Sequence, residues 1–359
     1  MPTEARSGAE IGSAVEASSP GKVILFGEHA INRGAPAIAA AVGIHARCRV
    51  AHRKAGYRLS GGGREASFGR SEILALAEEV DARRAASDHD AIRRIAAGDY
   101  FAPAKYILGN VLSSLPPGLD VVWESELPPS SGLGSGGAAF AALAAALRGF
   151  LDEGLRGPEA LSRLAHSGDV VAHGGIASAL DTQTSLLGGV RFFESSTTSR
   201  PIPCAPGLEI VIGNTGVSAP TSEVNARVRR WVAEDPERGA AVFRDIGRLA
   251  EAGRIALERG DWPRLGELVD ANARALEQIG VTTPETERLA EAARAAGALG
   301  AKPSGSGGGG IVIAIVTRET REPVVRAIAA AGGTPLTPDA GVPGGIESSP
   351  SDGPHHGAP

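Results

Sequence analysis

A chain of 359 residues with 42% hydrophobic side chains is long enough for two packed domains and can fill their cores, which excludes a disordered polypeptide. Its 36 basic and 41 acidic residues give a formal charge of −5 with the signs mixed along the chain, so nucleic acid and anionic membrane surfaces are excluded as partners. Small soluble substrates are expected instead. Two widely spaced cysteines, Cys48 and Cys204, fit a reducing compartment, and the N-terminal stretch has no apolar signal core. A cytoplasmic protein is the expectation.

Residues 1–16 are small and polar, and 341–359 carry almost no large apolar side chains, so both ends read as disordered tails. His355 and His356, in the second tail, read as solvated and not as metal ligands. Between the tails, "KVILFGEHA" (22–30) reads as a buried strand, "AIAAAVGIHARCRVAHR" (37–53) as a second and "GLDVVWESEL" (118–127) as a third. Helices follow at 136–149 and 158–172. The strands "GGVRFFES" (188–195) and "GLEIVIGNTG" (207–216) flank a Ser/Thr/Pro-rich connection at 195–207, the candidate domain boundary. Four amphipathic helices are predicted near 221–234, 238–259, 262–279 and 284–297, the last with Thr283 as N-cap and Pro284 in its first turn. Gly-rich "KPSGSGGGG" (302–310), the strand "IVIAIV" (311–316), a helix near 320–331 and a short edge strand complete a mixed α+β order in two halves.

The loop "PPSSGLGSGGAAF" (128–140) joins the third strand to an alanine-rich helix. Small polar residues at a helix mouth present unpaired N–H groups and the positive end of the helix dipole, an arrangement that holds anions such as phosphate. Gly132-x-Gly134-x-x-Gly137 fits the dinucleotide fingerprint, with Asp152 at the acidic position. That match is weak, because 49 glycines produce such spacings easily and Asp152 sits in a helix-to-helix turn. Gly305-x-Gly307-x-x-Gly310 is a second match, and it precedes a strand instead of following one. No Gly-Lys-Ser/Thr closes either loop, which excludes a Walker A site. Neither Ser135 nor Ser306 has glycine at both −2 and +2, which excludes a nucleophile elbow.

Three segments, "PGKVILFGEHAINRGAPAIAAAV" (20–42), "PPSSGLGSGGAA" (128–139) and "GAKPSGSGGGGIVIA" (300–314), resemble the ordered motifs of the galactokinase, homoserine kinase, mevalonate kinase and phosphomevalonate kinase superfamily. Two more, "LAHSGDVVAHGGIASALDTQTSLLGGV" (164–190) and "IVIGNTGVSAPTSEVNARV" (210–228), are similar to the mevalonate kinases, especially the archaeal type. The resemblance runs from about residue 17 to about 335. It implies an α+β, two-domain fold: a ribosomal protein S5 domain 2-like ATP-binding domain (17–203) packed on a ferredoxin-like domain (204–340), with the substrates between them. It further implies ATP-dependent phosphorylation of a small-molecule alcohol, with Mg2+, and homodimers are common in similar enzymes.

Residue by residue, the resemblance makes Asp181 the catalytic aspartate and Lys22 its neighbouring cation. A carboxylate within reach of a primary hydroxyl can accept its proton as the phosphoryl group moves, or can act mainly by charge and positioning. Glu28 and His29 would face the acceptor, and Thr221 would lie near the transferred group, with an N-cap role equally physical. Ser130, Ser131, Gly132, Gly134, Ser135 and Gly136 would wrap the ATP phosphates, helped by Gly305 and Ser306 of the third motif. Lys302, Ser304 and Gly307 belong to that third motif too. Two departures concern the metal: Gly136 stands where a second serine is usual, and Asp169 stands where a glutamate is usual. Mg2+ would then be held by Asp169 and Ser135 with more water in its shell. Mevalonate is the expected acceptor. Another kinase of the superfamily, above all a phosphomevalonate kinase, stays open, as does a binding protein that has kept the fold and lost turnover.

Overall fold

The computed structural model describes residues 14–128, 131–151, 155, 157–217 and 221–348. In chain order the elements are β1 (Val15–Phe26), β2 (Ala37–His52), β3 (Gly56–Gly61), β4 (Arg64–Phe68), α1 (Arg70–Ala85), α2 (His89–Gly98), α3 (Ala102–Asn110), β5 (Gly118–Ser125), α4 (Ser135–Phe150), α5 (Pro158–Ala172), α6 (Leu180–Leu187), β6 (Val190–Phe193) and β7 (Ser199–Pro201). The second half contributes β8 (Glu209–Asn214), α7 (Thr221–Glu234), α8 (Pro236–Arg259), α9 (Trp262–Ile279), α10 (Pro284–Ala295), β9 (Gly300–Ser304), β10 (Ile311–Val316), α11 (Arg321–Ala330), β11 (Thr334–Leu336) and β12 (Ile346–Ser348).

Two sheets organise these elements. The first runs β12-β1-β2-β5-β3-β4, with β6 and β7 branching from β2. Only its β3–β5 pairing is parallel among the described residues. The second, β11-β8-β10-β9, is antiparallel throughout, and its strands fall in the chain order expected of a βαββαβ ferredoxin-like unit, with extra helices in the first crossover. The α+β class expected from the sequence is the class observed.

Helix α4 sits against β1 and β2 on one side and α5 and α6 on the other. Its buried side is Gly137, Ala138, Ala141, Ala142, Leu143, Ala144, Ala145, Ala146 and Leu147, so small side chains let helix and sheet approach closely while remaining dry. The β1–β2 pairing shifts register between Pro20 and Gly21, just before Lys22, where β2 carries two extra residues, Gly43 and Ile44. The two halves are not separate cores: Val23, Leu25, Phe26 and Ile38 of the first sheet share one apolar cluster with Ile210, Ile212, Ile311 and Ile313 of the second and with Leu257 and Leu265 of the helices.

The segment 341–348, expected to be part of a disordered tail, has a fixed path. β12 pairs with β1 through Glu16↔Ser348, and the amide of Gly345 donates to Leu186 O at 2.9 Å. Backbone bonds hold it where apolar side chains are lacking. Gly344 is required there, because a Cβ would meet Leu186 O at 2.2 Å. β1 also begins at Val15, inside the other expected tail. Asp152, His355 and His356 lie outside the described residues.

Candidate active site

β1 brings Lys22 to the mouth of α4. Its main-chain N–H donates to Leu133 O at 2.8 Å, and its Nζ donates to Gly132 O at 3.1 Å and pairs with Asp181 Oδ1 at 3.1 Å. The lysine side chain is buried and the aspartate is 29% exposed, so the carboxylate is the member of the pair that a ligand can reach. Asp181 lies in the first turn of α6, whose polar residues Thr182 and Thr184 are buried with their hydroxyls turned back on the helix, Thr184 Oγ1 donating to Leu180 O at 2.7 Å.

Glycine in the loop serves this pair directly. Gly134 has φ 74° and forms the N-cap of α4; a Cβ there would stand 2.9 Å from both Cγ and Cε of Lys22. At Gly137 a Cβ would be 2.7 Å from Asp181 Cβ. The loop can therefore lie on the ion pair only because these positions lack side chains. No side chain caps α4, and its first internal bond is Ala138 N–H to Gly134 O at 2.9 Å, so the amides of Ser135, Gly136 and Gly137 lack acceptors within the helix. Exposed Gly136 opens this mouth to solvent, and a Cβ on it would meet only the Phe140 ring, at 3.8 Å.

The third motif closes over the same point. A Cβ on Gly132 would be 3.0 Å from Ser304 O, and one on Gly310 would be 2.8 Å from Ser131 O. Ser304 Oγ accepts from Ile24 N–H at 2.8 Å, between Lys22 and Glu28. His29, with φ 59°, places Nε2 2.9 Å from Ser306 O. A carbonyl only accepts, so Nε2 carries the proton and Nδ1 is the ring's acceptor. Burial holds this imidazole down to about 4, neutral at pH 7. Thr221 Oγ1 lies 3.3 Å from Ser306 Oγ, at the exposed start of α7. Gly305, beside Ser306, has φ 106° and faces Gly132. Ser130 lies outside the described residues.

Glu28 makes a contact that the sequence could not reveal. Its Oε1 receives a short hydrogen bond from Lys302 Nζ, 274 residues away, with both side chains buried. Burial raises Glu28 and lowers Lys302, while each partner's charge pulls the other back.

Asp169 stands on α5, buried, with Oδ1 3.2 Å from His173 Nδ1. His173 is raised to about 9, chiefly by the Asp169 charge, with Asp181 adding to it. The sequence signal for this partner was the i,i+4 spacing on one helix. No group of three or more His, Cys, Asp or Glu side chains converges to hold a metal among the described residues. Mg2+ bound with a nucleotide needs no such cage, only one or two hard oxygen donors beside phosphates and water, and the carboxylate of Asp169 and hydroxyl of Ser135 are of that kind.

Comparison with known proteins agrees with the geometry. Residues 99–189 match the GHMP kinases N terminal domain and residues 254–334 the GHMP kinases C terminal domain. The chain is 32% identical to the mevalonate kinase of Pyrococcus abyssi, with 90% of this chain and 94% of the relative covered, and 33% identical to that of Pyrococcus furiosus, with 90% and 95% covered. The solved structure of L. major mevalonate kinase in complex with R-mevalonate is similar in fold, with a TM-score of 0.70 at 24% identity, covering 96% of this chain and 98% of that one. No described helix is long and apolar enough to cross a membrane. With three motifs meeting at one helix mouth and full-length similarity at this level, the chain belongs to the GHMP kinases and, within them, to the mevalonate kinase family.

Proposed function

We propose that the protein transfers the γ-phosphoryl group of ATP to the 5-hydroxyl of mevalonate, giving 5-phosphomevalonate and ADP. The observation that carries this reading is the Lys22–Asp181 ion pair lying directly beneath the uncapped N-terminus of α4. Phosphate oxygens bound at the amides of 135–137 would sit beside a carboxylate that can take a hydroxyl proton. The acceptor oxygen forms a bond to the γ-phosphorus as the bond to the β,γ-bridging oxygen breaks. Asp181 receives or directs the hydroxyl proton, and Lys22, paired with its carboxylate, offsets charge on the moving group. His29 and Glu28 line the acceptor side, Thr221 and Ser306 the side of the transferred group, and Ser131, Gly132 and Gly305 keep the two glycine loops in contact. Mg2+, held through Asp169 and Ser135, would supply charge neutralisation on the phosphates.

An ADP-release assay with mevalonate, phosphomevalonate, galactose and homoserine tests the assignment. Turnover is expected with mevalonate. Turnover with phosphomevalonate alone would overturn it, and none with any of the four would favour a binding protein.

A further inference from the structure

Lys302 is a charged side chain that the proposed chemistry leaves without a role, and it is completely buried. Its Nζ is surrounded by three acceptors: Ile24 O at 3.1 Å, Pro303 O at 2.8 Å and Glu28 Oε1. Three acceptors use all three protons of an ammonium, so none is left for a substrate. The lysine comes from β9 in the second sheet, whereas Ile24 and Glu28 belong to β1 and the turn after it. Ser304, two residues along β9, takes the N–H of Ile24 while Lys302 takes its carbonyl. Both backbone groups of one residue, between Lys22 and Glu28, are thus held by side chains of β9.

The other oxygen of Glu28 is the second observation. Oε2 is buried and has no hydrogen-bond partner. A carboxylate oxygen left in that condition costs free energy until a donor arrives. The Lys22 ammonium acts on both Glu28 and Lys302, which places the pair beside the phosphotransfer centre and not in a remote core.

We propose that Lys302 is a positioning residue that acts through Glu28: from the second sheet it clamps Oε1, leaving Oε2 as the acceptor for a hydroxyl of the alcohol substrate. This deepens the phosphotransferase reading and rests on it only for the identity of that alcohol. Glu28 touches substrate, while Lys302 does not.

The test is a double-mutant cycle of Lys302→Met and Glu28→Gln, with KM for acceptor, KM for ATP, kcat and thermal melts measured for each. Lys302→Met is expected to raise the acceptor KM about tenfold or more, the loss of one charge-assisted hydrogen bond, and to change the ATP KM less than about twofold. Glu28→Gln is expected to do the same. Adding Lys302→Met to Glu28→Gln should then change the acceptor KM by less than about twofold, because the lysine has lost the group it orders. Effects that multiply, or an acceptor KM in Lys302→Met equal to wild type, would overturn the proposal. Should Lys302→Met fail to fold because it strands a buried carboxylate, the double variant has no such charge. Its comparison with Glu28→Gln alone still decides. Failure of wild type to use mevalonate bears on the acceptor's identity alone, and the same cycle is then read on whichever alcohol is turned over.

Discussion

His29 shows how burial, at one residue, sets chemistry. Its ring is neutral because protonation would put a charge where only Ser306 O can receive it. The unfolded chain takes up a proton near pH 6.5 and the folded one only near about 4. The folded state therefore loses stability as pH falls through that window, by up to about 3 kcal/mol at its acid end. Glu28, raised by burial, has the opposite sign over its own range, so the His29 contribution is read as the difference between wild type and His29→Asn. Urea denaturation at pH 7.5 and 4.5 should show the wild type losing more stability than the variant; equal losses would contradict the buried neutral ring. At this scale the sequence disclosed Lys22 and Asp181 because each sits inside a recognisable motif. It concealed Glu28–Lys302, since two lone charges 274 residues apart carry no spacing signal.

At the scale of elements, legibility followed periodicity. β1, β2, β5, β10 and the helices α7 to α10 have clear apolar patterns, and α10 starts where Thr283 and Pro284 said it would, with Thr283 Oγ1 accepting from Thr286 N–H at 3.3 Å. Thr283→Ala should cost about 1 kcal/mol of unfolding free energy in urea, and a change under about 0.3 kcal/mol would show the cap to be idle. The region 54–117 gave no such signal. β3 and β4 are short, and α1 buries little beyond Ile73, Ala77 and Val80. α6 carries no clear apolar spacing, because Thr182, Thr184 and Ser185 share its buried face with Leu180 and Leu186. β9 read as part of a glycine loop because it contains Pro303, which an edge strand tolerates.

Across the whole molecule, the site exists because two sheets share one core. The first supplies Lys22, Glu28 and the glycine loop before α4, and the second supplies Lys302, Ser304 and Ser306. The chain then returns to the first sheet at 339–345, where Gly341 N–H donates to Ala41 O at 2.8 Å and Gly189 N–H to Val342 O at 2.8 Å. This return path was illegible because backbone bonds make it. A chain ended after residue 338 should lose roughly 2–5 kcal/mol of stability, the sum of several backbone hydrogen bonds, and unchanged unfolding would show the return path to be unimportant.

The account turns on the carboxylate of Asp181 working on an alcohol at the mouth of α4. Single-turnover phosphorylation of mevalonate by Asp181→Asn, at saturating ATP and Mg2+, tests it most directly. The expected result is a rate lower by about 10²–10⁴-fold with ATP affinity little changed; a rate within about twofold of wild type would contradict the account.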